Sequence, residues 1–217
     1  MGLFKLTDTN SIANTFIAEL RDSNIQIDSM RFRRNMERLG EILAYELSKH
    51  LKYKNIDVKT PLGRSNVSVI HMHPYLITIM RAGVPFFQGF LNYFDKAECG
   101  FIGAYRSDFN DNDEFDIDME YMAVGDISNK EIIIIDPMLA TGKSIVKSVN
   151  KLIKKGLPKK IHIVALIAAK KGYEYVKDHL EISPEFWIAD MDEQLNSKSY
   201  IVPGLGDAGD LSFGKKS

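Results

Sequence analysis

Cysteine is almost absent: Cys99 is the only one in 217 residues. That excludes an intrachain disulfide, and no set of neighbours completes a zinc site with it. Nor does one sign of charge dominate. The 28 Lys and Arg are balanced by 29 Asp and Glu, a formal net charge of −1, so nothing draws the whole chain toward nucleic acid or an anionic membrane. Nucleic acid is therefore not an expected partner, and any bound anion must be held by a local site. Long apolar runs are missing too. The longest are four to seven residues, far short of the roughly 20 that a membrane-spanning helix needs. The opening Met1-Gly2-Leu3-Phe4-Lys5-Leu6 lacks the apolar stretch of a signal peptide. Leu6 stands where a myristoylation signal requires Ser or Thr. A cytoplasmic protein with no membrane attachment is expected, and neither repeats nor low-complexity segments are found.

What remains is a composition suited to one folded unit. Hydrophobic residues make up 45% and charged residues 26%, enough apolar side chain for a real core in a single domain over residues 1–217. Helical spacing of Ile12, Phe16, Ile17 and Leu20 predicts a helix over 11–21. Phe32, Met36, Leu39, Leu43 and Leu47 predict a longer one over about 29–49, with Asp28 or Ser29 as its cap. The period then changes. Strands are expected over 66–71, 75–81 and 99–105, and a crossover helix over 83–94. Glu131–Asp136 contains four consecutive isoleucines, and a strand apolar all round is covered on both faces, the mark of a parallel sheet between helices. A helix over 144–155, ended by Gly156 and Pro158, follows it. A strand over 161–169, a short helix over 173–179 and a last strand over 186–189 complete an α/β doubly wound alternation. The acid-rich stretch 108–120 suits an exposed excursion.

One segment carries chemistry. In Ile132-Ile-Ile-Ile-Asp136-Pro137-Met138-Leu139-Ala140-Thr141-Gly142-Lys143-Ser144, a buried strand ends in an acid, a short turn follows, and a helix begins. Ligands of open α/β sheets bind at the carboxyl ends of strands. The free amides and positive dipole end of a helix hold phosphate there. Thr141 and Ser144 add hydroxyls, Gly142 allows close backbone approach, and Asp136 is placed to accept from sugar hydroxyls. A carboxylate beside a phosphate nest reads ribose 5-phosphate. A nucleotide P-loop is excluded because position 137, where its first Gly must stand, is Pro.

Asp136-Pro-Met-Leu-Ala-Thr-Gly142 resembles the loop with which type I phosphoribosyltransferases bind phosphoribosyl diphosphate (PRPP), in the form found in the uracil branch. Met80-Arg81-Ala82-Gly83 and Ala104-Tyr105-Arg106 resemble two further turns of that branch. Tyr200-Ile201-Val-Pro-Gly204-Leu-Gly206-Asp207-Ala208-Gly209-Asp210 is similar, almost letter for letter, to its uracil-binding hood. The likeness spans roughly residues 29 to 214. It implies the type I phosphoribosyltransferase fold: a mostly parallel sheet with helices on both faces, a hood over about 186–217 with the N-terminal helices nearby, and a protruding arm over about 107–125. It also implies uracil and PRPP as substrates, Mg²⁺ carried by PRPP with no metal ligand assigned in the chain, and a homodimer or higher homo-oligomer. A GTP effector, as in some bacterial relatives, is a further option.

By the family's pattern, Arg81, Arg106, the loop 136–144 and Asp207 bind PRPP. Ile201, Gly206, Asp207 and Ala208 contact uracil, and Arg106 and Asp207 are the catalytic residues. The residues themselves suit these roles. Three glycines within 204–209 forbid a regular helix or strand and expose backbone groups that can read the edge of a flat base. Arginine donates in a fixed fork suited to pyrophosphate. The implied reaction displaces pyrophosphate from C1 of PRPP by N1 of uracil, giving UMP. A second class of function is a regulatory protein that keeps the fold, senses PRPP or UMP and binds RNA without turnover. Three departures bear on that choice: Lys143 in place of a second glycine, Leu211 in place of Arg, and Lys215 in place of Thr. His71 and His73 share one face of an extended segment and are read as structural or surface residues, there being no third ligand nearby in sequence.

Overall fold

The computed structural model describes residues 2–106 and 117–215, and for 104–106 and 117–120 the backbone alone. A short strand β1 (Leu3–Lys5) leads into helices α1 (Ile12–Arg21) and α2 (Ser29–Ser48). Local chemistry sets both helix starts. The Ser11 hydroxyl accepts from the Ala13 amide at 3.3 Å, and Asn14 reaches back to accept from Ser11 N–H, also at 3.3 Å. Asp28 caps α2 by accepting from the Arg31 amide at 3.0 Å.

Next come β2 (Tyr53–Thr60) and β3 (Gly63–Ile70), then β4 (Tyr75–Met80), α3 (Gly83–Tyr93), β5 (Cys99–Arg106), β6 (Ile117–Ala123) and β7 (Glu131–Ile135). β8 (Met138–Leu139), α4 (Lys143–Leu152), β9 (Lys160–Ala169), α5 (Lys170–His179) and β10 (Glu185–Asp192) follow. A hairpin of β11 (Gln194–Leu195) and β12 (Ile201–Val202) and the short helix α6 (Ala208–Phe213) end the described chain.

The central sheet has the order β1-β10-β9-β7-β4-β5-β6, with β8 also on β9. All its pairs are parallel except β5–β6. This is the parallel sheet that the four isoleucines predict. Ile132 to Ile135 are all buried and alternate between two cores. Ile133 and Ile135 face α1, α2 and α3, whereas Ile132 and Ile134 face α4 and α5. Each such side chain contributes about 1.5–3 kcal/mol by leaving water. On the first face α2 and α3 touch backbone to backbone. A Cβ on Gly89 would strike the Glu37 carbonyl oxygen and lie 2.8 Å from the Gly40 Cα.

Three expectations change. The strand expected over 66–71 is β3, and it is not in the sheet. It pairs only with β2, an unforeseen strand, in a separate ribbon exposed along nearly its whole length. The alternation of 66–71 is real, but no layer covers either face. The hood expected from about residue 186 starts later, because β10 runs parallel to β9 as far as Asp192 and buries Phe186 to Ala189. Only the chain beyond Asp192 leaves the sheet. Of the arm expected over 107–125, residues 107–116 lie outside the described residues. Residues 117–123 form the antiparallel edge strand β6.

Candidate active site

Parallel pairing carries the ends of β4, β5 and β7 to one rim of the sheet; Thr78 is level with Ile135 and Met80 with Gly103, so Asp136, Arg81 and Arg106 follow one another in steps of two residues across the three strands. The loop after β7 is tighter than its sequence suggests. Asp136 N–H donates to the Val164 carbonyl at 3.1 Å, and the Pro137 carbonyl accepts from the Leu166 and Ile167 amides at 3.1 and 3.0 Å. β8 then continues along β9, so the turn proper is confined to residues 140–142. Pro137 and Leu139 are buried, and the Leu139 side chain packs into the same core as Ile132 and Ile134.

Gly142, at φ +78°, is the N-cap of α4, a left-handed conformation that other residues adopt only with strain. Its α carbon faces α5: a Cβ there would lie 2.7 Å from both the Gly172 carbonyl oxygen and Val176 Cγ2. Gly172 answers in kind, since its own Cβ would meet the Ala140 carbonyl oxygen, 2.9 Å from that carbonyl's carbon and 3.0 Å from the Leu139 oxygen. Two glycines thus let the loop seat against α5. Lys143 is the first residue of α4, with its amide 3.4 Å from Thr141 Oγ1 and its side chain exposed, so it does not crowd the turn. The first-turn amides of this helix and the Ser144 hydroxyl make an end of the kind that suits an anion.

Asp136, Met138, Ala140 and Ser144 line one side of a cleft, Arg81 and Ala82 its edge, and Tyr200, Ile201 and the segment 206–209 the opposite side. The predicted phosphate loop and glycine-rich segment therefore face each other, although at least 57 positions separate them in the chain. Arg81 Nη2 donates to Asp210 Oδ1 at 2.7 Å and to the Gly214 carbonyl at 2.9 Å. Among the described residues its Nε is buried without a hydrogen-bond partner, a donor whose burial is costly until an acceptor arrives. Asp207 caps α6, accepting from the Asp210 amide at 2.9 Å, and lines the cleft with one oxygen so engaged. The side chain of Arg106 lies outside the described residues. His71 is exposed and His73 half-buried.

Some residues of the region were not anticipated. Ala82, Tyr200 and Gly209 line the cleft, each one step from a residue that was. More distant are Arg21, Asp190 and Asp192, which hold the glycine-rich segment from behind. Burial works against the Arg21 charge, but hydrogen bonds to Asp192 and Asp190 outweigh it and raise its pKa above the ordinary value. Two acids at alternate positions near the carboxyl end of a buried strand were a legible signal for 190 and 192. Nothing in the sequence singled out Arg21.

A family model described as uracil phosphoribosyltransferase matches residues 7–215. A Porphyromonas gingivalis protein named uracil phosphoribosyltransferase is 47% identical over 216 residues, covering 100% of both chains. One of that name from Pyrococcus furiosus is 33% identical, covering 99% of this chain and 90% of its own. Among solved structures, one of an Aquifex aeolicus protein superposes with a TM-score of 0.85 at 27% identity over 98% of each chain. A hypoxanthine-guanine phosphoribosyltransferase from Bacillus anthracis shares the fold alone, with a TM-score of 0.52 at 10% identity over 74% of this chain and 80% of that one.

Proposed function

The chain belongs to the uracil phosphoribosyltransferase family, and we propose that it transfers the phosphoribosyl group of PRPP to N1 of uracil, giving UMP and pyrophosphate. The observation that carries this reading is the facing pair of loops. A carboxylate and a helix N-terminus lie on one side of the cleft, and a glycine-rich backbone segment on the other. No comparison supports a regulatory protein without turnover.

The assigned roles follow from position. Residues 136–144 hold the ribose and its 5-phosphate, Asp136 through sugar hydroxyls and the α4 amides and Ser144 through phosphate oxygens. Ile201 and the segment 206–208 read uracil. Its two carbonyls and N3–H ask for a matching run of backbone donors and acceptors, and cytosine would leave some of them buried and unpaired. In the transfer N1 bonds to ribose C1 while the C1–O bond to pyrophosphate breaks. The electron pair leaves with pyrophosphate, and the N1 proton is lost. Positive charge grows on the ribose and negative charge on the leaving group, so Arg81 at the cleft's edge, and Arg106 by the family's pattern, are assigned as donors to charge that develops. Mg²⁺ chelated by PRPP would supply positive charge that offsets the negative charge of the departing pyrophosphate. Asp136 and Asp207 are hard oxygen donors beside the cleft that suit its water shell. Asp207 lies where base and diphosphate meet, and its carboxylate serves both.

Purified protein given uracil, PRPP and Mg²⁺ is expected to form UMP, followed by chromatography, and cytosine in place of uracil is expected to give no product. Absence of UMP alongside tight binding of UMP or RNA would overturn the enzyme in favour of a sensor.

The same reading extends to assembly as a homo-oligomer. The β2–β3 ribbon sets Ile56 opposite Val67, with Val58 two residues on along the same face, and each of the three is about 40% exposed. Leu62 at the turn is fully exposed. A two-stranded ribbon is at best marginal alone in water, and an apolar face of this kind calls for a partner. A second copy of the chain supplies it. The double variant Ile56→Lys, Val67→Lys is expected to convert a dimer or larger species into a monomer in sedimentation velocity. A wild-type protein that sediments as a monomer would end this assignment. No helix among the described residues is long and apolar enough to cross a membrane, in keeping with the proposed cytoplasmic location.

A further inference from the structure

Within the segment assigned to uracil, Gly206 is thinly supported by its own surroundings. A Cβ on Gly206 would find nothing closer than Leu211 Cδ1 at 3.8 Å and Gln26 Oε1 at 4.0 Å. Behind the loop lies a second hollow, lined in part by Arg21, Gln26, Leu205 and Leu211. Space on both sides means that packing does not fix Gly206 and Asp207, which stand exposed between the buried Leu205 and Ala208. The ends of the segment do. At one end Asp207 is tied into the α6 cap, and α6 is tied to α2 by Arg33 Nη1 donating to the Ser212 carbonyl at 2.6 Å.

At the other end stands Gly204, two residues before Gly206, at φ +60°. Both its backbone groups are held by one ion pair. Its N–H donates to Asp192 Oδ2 at 2.9 Å, and its carbonyl accepts from Arg21 Nη1 at 2.8 Å. Arg21 in turn grips Asp192 with both terminal nitrogens, Nη1 to Oδ2 at 2.9 Å and Nη2 to Oδ1 at 3.0 Å. Nη2 also donates to Asp190 Oδ2 at 2.9 Å, while Asp190 Oδ1 accepts from the Thr7 hydroxyl at 2.8 Å. The Asp192 side chain is only 8% exposed. The network thus joins the last residue of α1, the end of β10 and the hood, and it needs two terminal nitrogens donating in a plane. Arginine meets that need and lysine does not.

We infer that Arg21, acting through Asp192 and the Gly204 peptide, is a positioning residue that sets the register in which 206–208 meet the base. Arg21 does not line the cleft, and Asp207, the one residue of 206–208 that also serves PRPP, is held separately by the α6 cap, so loss of Arg21 bears on uracil far more than on PRPP. This inference rests on the assignment of the cleft to uracil and PRPP.

The test is a split in kinetic constants. In Arg21→Met, KM for uracil is expected to rise about tenfold, as for a binding edge displaced by a fraction of an ångström, with KM for PRPP and kcat within about twofold of wild type. Arg21→Lys should fall between the two, and Asp192→Asn, which keeps the shape but weakens the grip on the guanidinium, should shift the same constant alone. Should the Met variant fail to fold, the Lys and Asn variants carry the test. Unchanged KM for uracil in all folded variants overturns the inference, as does an equal fall in all three constants that tracks a lower Tm. Wild-type protein without activity on uracil would instead remove the functional reading beneath it.

Discussion

Gly172→Ala is expected to cost about a hundredfold in kcat/KM for PRPP while leaving a folded protein. The added methyl meets the Ala140 carbonyl oxygen, with the Ala140 carbon and the Leu139 oxygen at 2.9 and 3.0 Å. All three are main-chain atoms of the phosphate loop, so none can rotate aside as a side chain would. Either α5 or the loop must move. The loop, a short turn between β8 and α4, is the weaker of the two, and small displacements of groups that orient a reacting substrate cost rate out of proportion to their size. The stability cost is that of overpacking, about 1–3 kcal/mol, or a fall in Tm of several degrees for a chain of this length. Steady-state kinetics with PRPP varied, beside a thermal melt, read both. Wild-type constants in a folded variant would mean that the contact with α5 does not set the loop.

Arg81→Ala is expected to lower kcat by about 10²–10³, the usual effect of removing one donor aimed at charge that appears in the transition state. Two observations favour that role for Arg81. It lines the same cleft as Asp136, and its Nε is buried without an acceptor among the described residues. Arg81→Lys should recover little, because an ammonium cannot replace the fork toward a diphosphate. The variant also breaks the ion pair with Asp210, so that contribution must be separated. Asp210→Asn leaves the guanidinium in place and is expected to hold kcat within a few-fold of wild type. If Asp210→Asn loses as much rate as Arg81→Ala, the arginine serves the C-terminal helix and not the leaving group.

Much of this was readable before any coordinates. The helices over 12–21, 29–48 and 83–93 fall within a residue or two of their expected bounds, because each presents one apolar stripe to a single face of the sheet. The isoleucine run predicted a strand covered on both sides, and its four residues alternate between two cores. The departures have a common cause. β1 and the β11–β12 hairpin have strands of two or three residues, too few for any period to show. The ribbon alternates as a strand should, but alternation does not say whether a layer covers it. At the site, residue identities came through a motif similar to a known family, while the arrangement that holds them did not. Arg21 and Gly204 stand 183 positions apart, and no pattern in the sequence around Arg21 hints at that meeting. Lys143, which departs from the family's pattern in sequence, has an exposed side chain that takes its direction from α4.

The two walls of the cleft also differ in when a ribosome delivers them. Residues up to about 179 contain the phosphate loop, the helix α5 it seats against and most of the sheet, whereas β10, the Arg21 network and the glycine-rich segment need chain as far as 210. The wall proposed for the sugar phosphate therefore emerges from the ribosome before the wall proposed for the base. PRPP present during synthesis would meet an anion cradle without the wall that faces it, and without the Asp210 carboxylate that pairs with Arg81 in the finished molecule. Selection for uracil is the last property to form.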